Sequence, residues 1–336
     1  MGTLKGVAAF TGGAVALFVG LLVAALAAGA GATVLIASHI ETLYPPAGRF
    51  VPVRGGRLAV LEAGPTETAR GTVVLLHGAS ASAADPMEGV GRTLTKRGYR
   101  VIAFDRPGFG WSDRLGGAEA ASPAFQAAAI GEALDAMQVG PAIVLGHSWS
   151  GALALRLALD RADQVSGLVL AAPVALPFPG KQLPWWGRLA LQPAVTAFLV
   201  RTVVVPIAWW YLPKAAKGAF APQAMSERYV ERSRAPLILR PGAALANLQD
   251  LAGLPDALRE QAPRYGDIPI PTVVVAGDAD PVVRFQTQAA PLAEQIPGAR
   301  LVRLRGVGHM LHYTATDALA DAVDDVQAKL ASPPAP

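Results

Sequence analysis

Residues 141 to 160 read PAIVLGHSWSGALALRLALD, and they decide the fold. Pro141 to Leu145 is a short apolar run without polar alternation, as a strand buried on both faces should be. After Trp149 comes an Ala- and Leu-rich segment with helical spacing. Between them, Gly146-His147-Ser148-Trp149-Ser150-Gly151 turns strand into helix, the context that a nucleophile elbow requires. The turn is crowded, so the positions two before and two after Ser148 have to be small. Gly146 meets this, while Ser150 stands where a second glycine is usual and is still small. Such a pentapeptide is common by chance, and its weight depends on its surroundings.

Similar apolar runs occupy Thr72 to Leu76, Arg100 to Phe104, Val165 to Leu170, Thr272 to Ala276 and Arg300 to Leu304. Helical spacing fills Pro86 to Arg97, Pro123 to Gln138, Trp149 to Arg161, Gln286 to Ile296 and Thr316 to Leu330. This alternation predicts an α/β domain with a mostly parallel sheet and helices on both faces. Ahead of it, Phe50 to Gly64 reads as a hairpin around Gly55-Gly56. The alternation breaks once, between Pro173 and Ile270, and we read the break as a helical insertion. Its first half carries Trp185, Trp186, Trp209, Trp210 and Tyr211; its second half, Pro222 to Tyr265, is more polar. The plain reading of the aromatic pairs is packing of a small subdomain. The sharper one makes the four tryptophans substrate-binding residues of an apolar lid, or a membrane-contacting surface.

Composition narrows the partners. The chain has 336 residues, 52% apolar and 16% charged, with no cysteine, which excludes disordered, collagenous and disulfide-stapled classes. Twenty-nine basic against 25 acidic residues leave +4 without any run of like charges, so nucleic acid is not an expected partner. Mean hydropathy is high at +0.36. Part of that comes from Gly6 to Ser38, thirty-three residues without a charge, of which twenty-four are apolar. As a helix they would reach about 50 Å, against a bilayer core of about 30 Å. We read residues 1–40 as a single transmembrane anchor to a lipid bilayer. A cleaved signal peptide competes, but its apolar core should be shorter. Lys5 on one side and Arg49, Arg54 and Arg57 on the other leave the positive-inside rule undecided, and we place the body on the extracytoplasmic side as for an uncleaved signal. The expected organisation is anchor 1–40, linker 41–49, core 50–173 and 270–330, helical cap 174–269 and a frayed tail 331–336.

A serine nucleophile needs a base, and five histidines are available. His39 abuts the membrane segment, His77 begins a loop, and His147 should point away from Ser148 on the strand end. His309, in the loop after the last strand, is the preferred base, and His312 is the runner-up. The orienting carboxylate belongs on a strand-end loop, where Gly277-Asp278-Ala279-Asp280-Pro281 offers two candidates. An oxyanion needs oriented backbone N–H groups. Trp149 supplies one, and Ala79 in His77-Gly78-Ala79-Ser80 the other, with Gly78 permitting an unusual turn.

The order HGAS, then DRPGFGWS at 105–112, then GHSWSG, GDADPVV and GVGHM looks like the α/β-hydrolase superfamily over Phe50 to Leu330. An anchor followed by Pro-Pro-x-Gly and a hairpin is also similar to bacterial membrane-anchored members. The resemblance implies that the acid is Asp280, that Asp105 to Ser112 borders the active site and that the insertion is a lid. It implies a Ser148-His309-Asp280 triad that needs neither metal nor organic cofactor. The dehalogenase and epoxide-hydrolase branches use Asp at the elbow, so Ser148 argues against them. The expected activity is hydrolysis of a carboxylic ester or related carbonyl compound, with an apolar small molecule as substrate. An acyltransferase or a cofactor-free perhydrolase would use the same triad, and a binding protein on a degenerate fold is the alternative of another class.

Overall fold

The computed structural model describes residues 2–67, 69–178, 189–190 and 192–331. Trp185, Trp186 and the expected tail at 332–336 lie outside the described residues. Joined by the turn at Gly55, whose φ of +84° suits glycine, strands β1 (Arg49–Val53) and β2 (Gly56–Ala63) pair antiparallel as the expected hairpin. Strands β3 (Thr72–Leu76), β4 (Arg100–Phe104), β5 (Ala142–His147), β6 (Val165–Ala171), β7 (Thr272–Gly277) and β8 (Arg300–Leu304) come next along the chain. They form one eight-stranded sheet in the order β1-β2-β4-β3-β5-β6-β7-β8, parallel from β4 onward.

Alternate side chains on each strand serve opposite layers. On β3, Val74 and Leu76 join a core under the helices Pro123–Ala136 and Ser150–Asp160, while Val73 and Leu75 face Leu319, Val323 and Val326 of the C-terminal helix Thr316–Ala331. Both faces are covered, which is why these strands read as unbroken apolar runs. Truncating one of these side chains, Leu145→Ala for example, should cost about 2–5 kcal/mol. Helix Pro123–Ala136 starts where the sequence signals it: Ser122 Oγ accepts the Phe125 N–H at 3.1 Å, and Pro123 needs no donor.

One expected helix is not continuous. Pro86 to Arg97 breaks at Gly89, whose φ and ψ of −82° and −113° are not helical. The backbone of His312 approaches so closely there that a Cβ would collide with its carbonyl oxygen.

Between β6 and β7 the described residues contain helices and no strand. A short helix Pro193–Leu199 and a π turn Val200–Val204 lead into Val205–Phe220, and Pro241–Gln261 packs back towards the core. The N-terminal helix, Gly2–Leu43, runs three residues past the expected end of the anchor. Its far end is docked: Ile40 is fully buried, Arg240 pairs with Glu41 at 2.8 Å, and the Trp111 indole donates to the Tyr44 carbonyl at 3.0 Å. The expected linker at 41–49 is therefore pinned to the body. Among the described residues, two helical stretches, Gly13–Leu43 and Pro193–Phe220, are long and apolar enough to cross a membrane.

Candidate active site

Ser148 comes directly after β5 with a φ of +53°, a left-handed conformation that costs a non-glycine residue about 1–3 kcal/mol. Neighbouring backbone holds it there: Ser148 N–H donates to the Ala171 carbonyl at 3.0 Å and Val174 N–H to the Ser148 carbonyl at 2.9 Å. A side chain at Gly146 would collide with the Ser150 carbonyl, and one at Gly151 would come within 2.6 Å of the Pro173 side chain. Ser150 makes use of its extra atoms, since its hydroxyl donates to the His77 carbonyl at 2.5 Å and ties the elbow to the loop after β3.

The loops after β7 and β8 meet at the same sheet edge. Asp280 Oδ1 accepts the N–H groups of Val282 and Val283 at 2.7 and 2.9 Å, and its Oδ2 lies 2.7 Å from His309 Nδ1. With Nδ1–H donated to Asp280, the Nε2 lone pair of His309 is free to take a proton. Asp278 serves the loop instead. It accepts from Gly306 N–H at 2.7 Å and pairs with Arg303 at 2.9 Å, which depresses its carboxyl below the usual range.

The loop after β3 is shaped by Arg106, which the DRPGFGWS motif contains without revealing its role. Arg106 is fully buried, and its Nε and Nη2 donate to the carbonyls of His77 and Gly78 at 3.1 and 3.2 Å. A trans peptide points its N–H opposite its C=O, so drawing the Gly78 carbonyl towards Arg106 turns the Ala79 N–H the other way, away from the guanidinium. Gln126 and Asp250 hold the guanidinium at 2.8 and 2.7 Å, and it lies 4.1 Å over the Trp149 ring. Burial lowers its pKa to about 10, which leaves it charged at neutral pH. His77 is locked as a neutral tautomer, with Nδ1 donating to the Gly78 carbonyl at 2.8 Å and Nε2 accepting Arg106 N–H at 3.1 Å. Burial and Arg106 hold its pKa well below the usual value. The unusual backbone is not at Gly78 but at Ser80, with a φ of +57°, secured by Asn247 Oδ1 on its N–H at 2.8 Å. Gly78 matters for closeness, since a Cβ would sit 3.2 Å from that of Ser148. Trp149 N–H belongs to the first turn of the helix after Ser148, where backbone donors lack helical partners.

His312 and His147 form a second network beside the His309–Asp280 pair. His312 Nε2 lies 2.8 Å from Asp85 Oδ2, and Asp85 Oδ1 accepts the Tyr229 hydroxyl at 3.0 Å. His147, expected to point away, lies 3.1 Å through Nε2 from the His309 backbone carbonyl, with its ring centroid 4.1 Å from that of His312. Burial, with the neighbouring imidazoles, holds the His147 pKa well below the usual value. Asp85, His147 and His312 bring ligand atoms within 4.8 Å of one another. Tetrahedral zinc with bonds of 2.0–2.1 Å needs separations of about 3.3 Å, and both Asp85 oxygens already have partners, so the trio fits a hydrogen-bond network better than a cation site.

Ser148 faces two cavities. One, of about 290 Å³, contains His309, Ala79, Leu212, Ala216 and Met310. The other, of about 400 Å³, contains Trp149, Val174, Leu251, Leu254 and Val283. Trp209 and Trp210 line neither cavity. Adjacent residues on a helix point about 100° apart. Trp209 therefore packs edge-on against His39 of the N-terminal helix while Trp210 is 82% exposed.

Residues 71–316 match the family described as alpha/beta hydrolase fold. The chain is 27% identical over 267 residues to a 2-hydroxymuconate semialdehyde hydrolase of Pseudomonas putida, covering 76% of this chain and 86% of that one. It is also 27% identical over 239 residues to haloalkane dehalogenase 2 of Mycobacterium tuberculosis, covering 67% and 77%. Among solved structures, an esterase from Exiguobacterium antarcticum superposes with a TM-score of 0.65 at 23% identity, over 84% of this chain and all of that one. With the family match spanning most of the chain and the sheet in the order that places an elbow after β5, the chain belongs to the α/β-hydrolase family and is a hydrolase.

Proposed function

We propose that this hydrolase cleaves carboxylic esters or related carbonyl compounds through an acyl-enzyme on Ser148, with an apolar substrate, while its N-terminal helix holds it to a membrane. One observation carries the reading: Ser148 and His309 open on one cavity, and His309 donates to a buried Asp280. His309 takes the Ser148 proton as Oγ attacks the carbonyl carbon. Asp280 stabilises the imidazolium, and the N–H groups of Ala79 and Trp149 receive the oxyanion. The C–O bond then breaks, His309 protonates the leaving alkoxide, and water activated by the same imidazole releases the acid.

The two cavities divide the substrate. A leaving group has to reach His309 for its proton, so it occupies the cavity that contains His309; the acyl chain takes the other, between Trp149, Leu251 and Leu254. Apolar walls on both sides support apolar groups on both sides. The segment 174–269 is a cap over the core, and residues 1–40 are a single-pass anchor with the body outside the cytoplasm.

The full chain in detergent should hydrolyse activated esters across a panel of acyl lengths, favouring apolar chains, and Ser148→Ala should abolish this. Turnover retained in Ser148→Ala, or a preference for charged acids, contradicts the reading. Faster transfer to an added alcohol or peroxide than to water would make the enzyme an acyltransferase or perhydrolase on the same residues. Protease access to the body in spheroplasts tests the side.

A further inference from the structure

The helix Val205–Phe220 has three faces with three different neighbours. Leu212, Ala215, Ala216 and Ala219, at helical spacing, line the cavity that contains Ser148 and His309. Val205 and Trp209 pack towards Ile40 and His39 of the N-terminal helix. The remaining stripe, Ile207, Trp210, Tyr211 and Lys214, is exposed, with Trp210 at 82%. Further back in the chain, Leu189 and Phe198 are also half exposed.

Contacts between the two helices give their relative direction. Gly29 lies against the Thr202 carbonyl, at a distance that only glycine allows, and His39 lies against Trp209. Both helices therefore advance the same way. Thirty-three uncharged residues of the N-terminal helix, about 50 Å long, fit a bilayer with its headgroups, about 45 Å, at a tilt of about 25°. On that placement Gly29 is near the hydrocarbon edge and His39 at the headgroup boundary. The second helix then has the order of an interfacial element: residues 193–208 carry a single charge, Arg201, aromatics come at 209–211, and Lys214 and Lys217 stand last.

We propose that the insertion makes a second contact with the bilayer. Residues 192–211 dip beside the N-terminal helix, with Pro193 and then Phe198 below Trp210 and Tyr211, which lie among the headgroups, and with the lysines at the phosphates. The partner is the lipid surface itself. The opposite face of the same helix walls the catalytic cavity, so the cavity is held over the membrane, where an apolar ester partitions. This inference rests on the N-terminal helix being a membrane anchor.

The chain has no cysteine, so single-cysteine variants can carry a nitroxide without further engineering. The test uses full-length Leu21→Cys, Phe198→Cys, Trp210→Cys and Lys217→Cys in nanodiscs of phosphatidylcholine with phosphatidylglycerol. Relaxation by oxygen relative to a water-soluble nickel chelate reports depth. The expected ratio falls from Leu21 through Phe198 and Trp210 to Lys217, with Phe198 several-fold above the exposed reference Arg54→Cys. Ratios at 198 and 210 equal to that reference, with Leu21 in lipid, overturn the second contact and leave the anchor standing. An aqueous report at Leu21 overturns both.

Discussion

Two buried histidine–carboxylate pairs, their histidines three residues apart in the chain, stand side by side, and only one of them has its histidine on the Ser148 cavity. His309 meets Asp280 at 2.7 Å and His312 meets Asp85 at 2.8 Å, both well buried. The distances are alike; the surroundings differ. Asp280 is held by two backbone N–H groups, and its histidine shares the Ser148 cavity. Asp85 is shared with the Tyr229 hydroxyl, while the Tyr313 hydroxyl donates to its backbone carbonyl, and fully buried His312 packs against His147. A short hydrogen bond to a carboxylate is therefore no mark of a catalytic base. Opening onto the Ser148 cavity is what His309 has and His312 lacks.

The largest effect should separate the pairs. His309→Ala and Asp280→Asn should each lower kcat about ten-thousandfold with the fold intact. His312→Ala should instead keep kcat within about tenfold and cost about 3 kcal/mol of stability, because it leaves the Asp85 carboxylate buried without its partner. Steady-state kinetics beside chemical denaturation check both, and a reversed pattern would make His312 the base. Next comes Arg106→Met, which frees the Gly78 carbonyl and should lower kcat about a hundredfold with little change in KM. An effect on KM alone would mean that Arg106 does not aim the Ala79 N–H.

The smallest expected effect concerns pH. His77 and His147 have pKa values held well below 6.5 in the folded chain. Their contribution is complete above 6.5, and it is lost as pH falls, because the unfolded chain takes up protons first. Each should add up to about 1.4 kcal/mol per pH unit to the slope of stability below pH 6.5. Denaturation midpoints of His77→Gln against pH should show a slope reduced by about one proton; an unchanged slope contradicts a neutral, buried His77.

The parallel strands are legible in the sequence because burial on both faces leaves apolar runs such as Thr72–Leu76. Ser148, His309 and Asp280 are legible because each stands just past a strand, and the structure brings them to one edge of the sheet. Arg106 stands in the quoted DRPGFGWS motif, but its burial and its role are not legible there, since its partner Asp250 lies 144 residues away. Asp85 is hidden for the same reason. The Trp209-Trp210 pair divides because adjacency in sequence separates residues around a helix, setting Trp209 against His39 and leaving Trp210 exposed.

The most direct test is labelling of the full chain with a fluorophosphonate, with the adduct located by peptide mass mapping. The account predicts one adduct, on Ser148, formed at a near-native rate in His312→Ala and almost lost in His309→Ala. An adduct on another serine, or Ser148 labelled equally fast in His309→Ala, would contradict it.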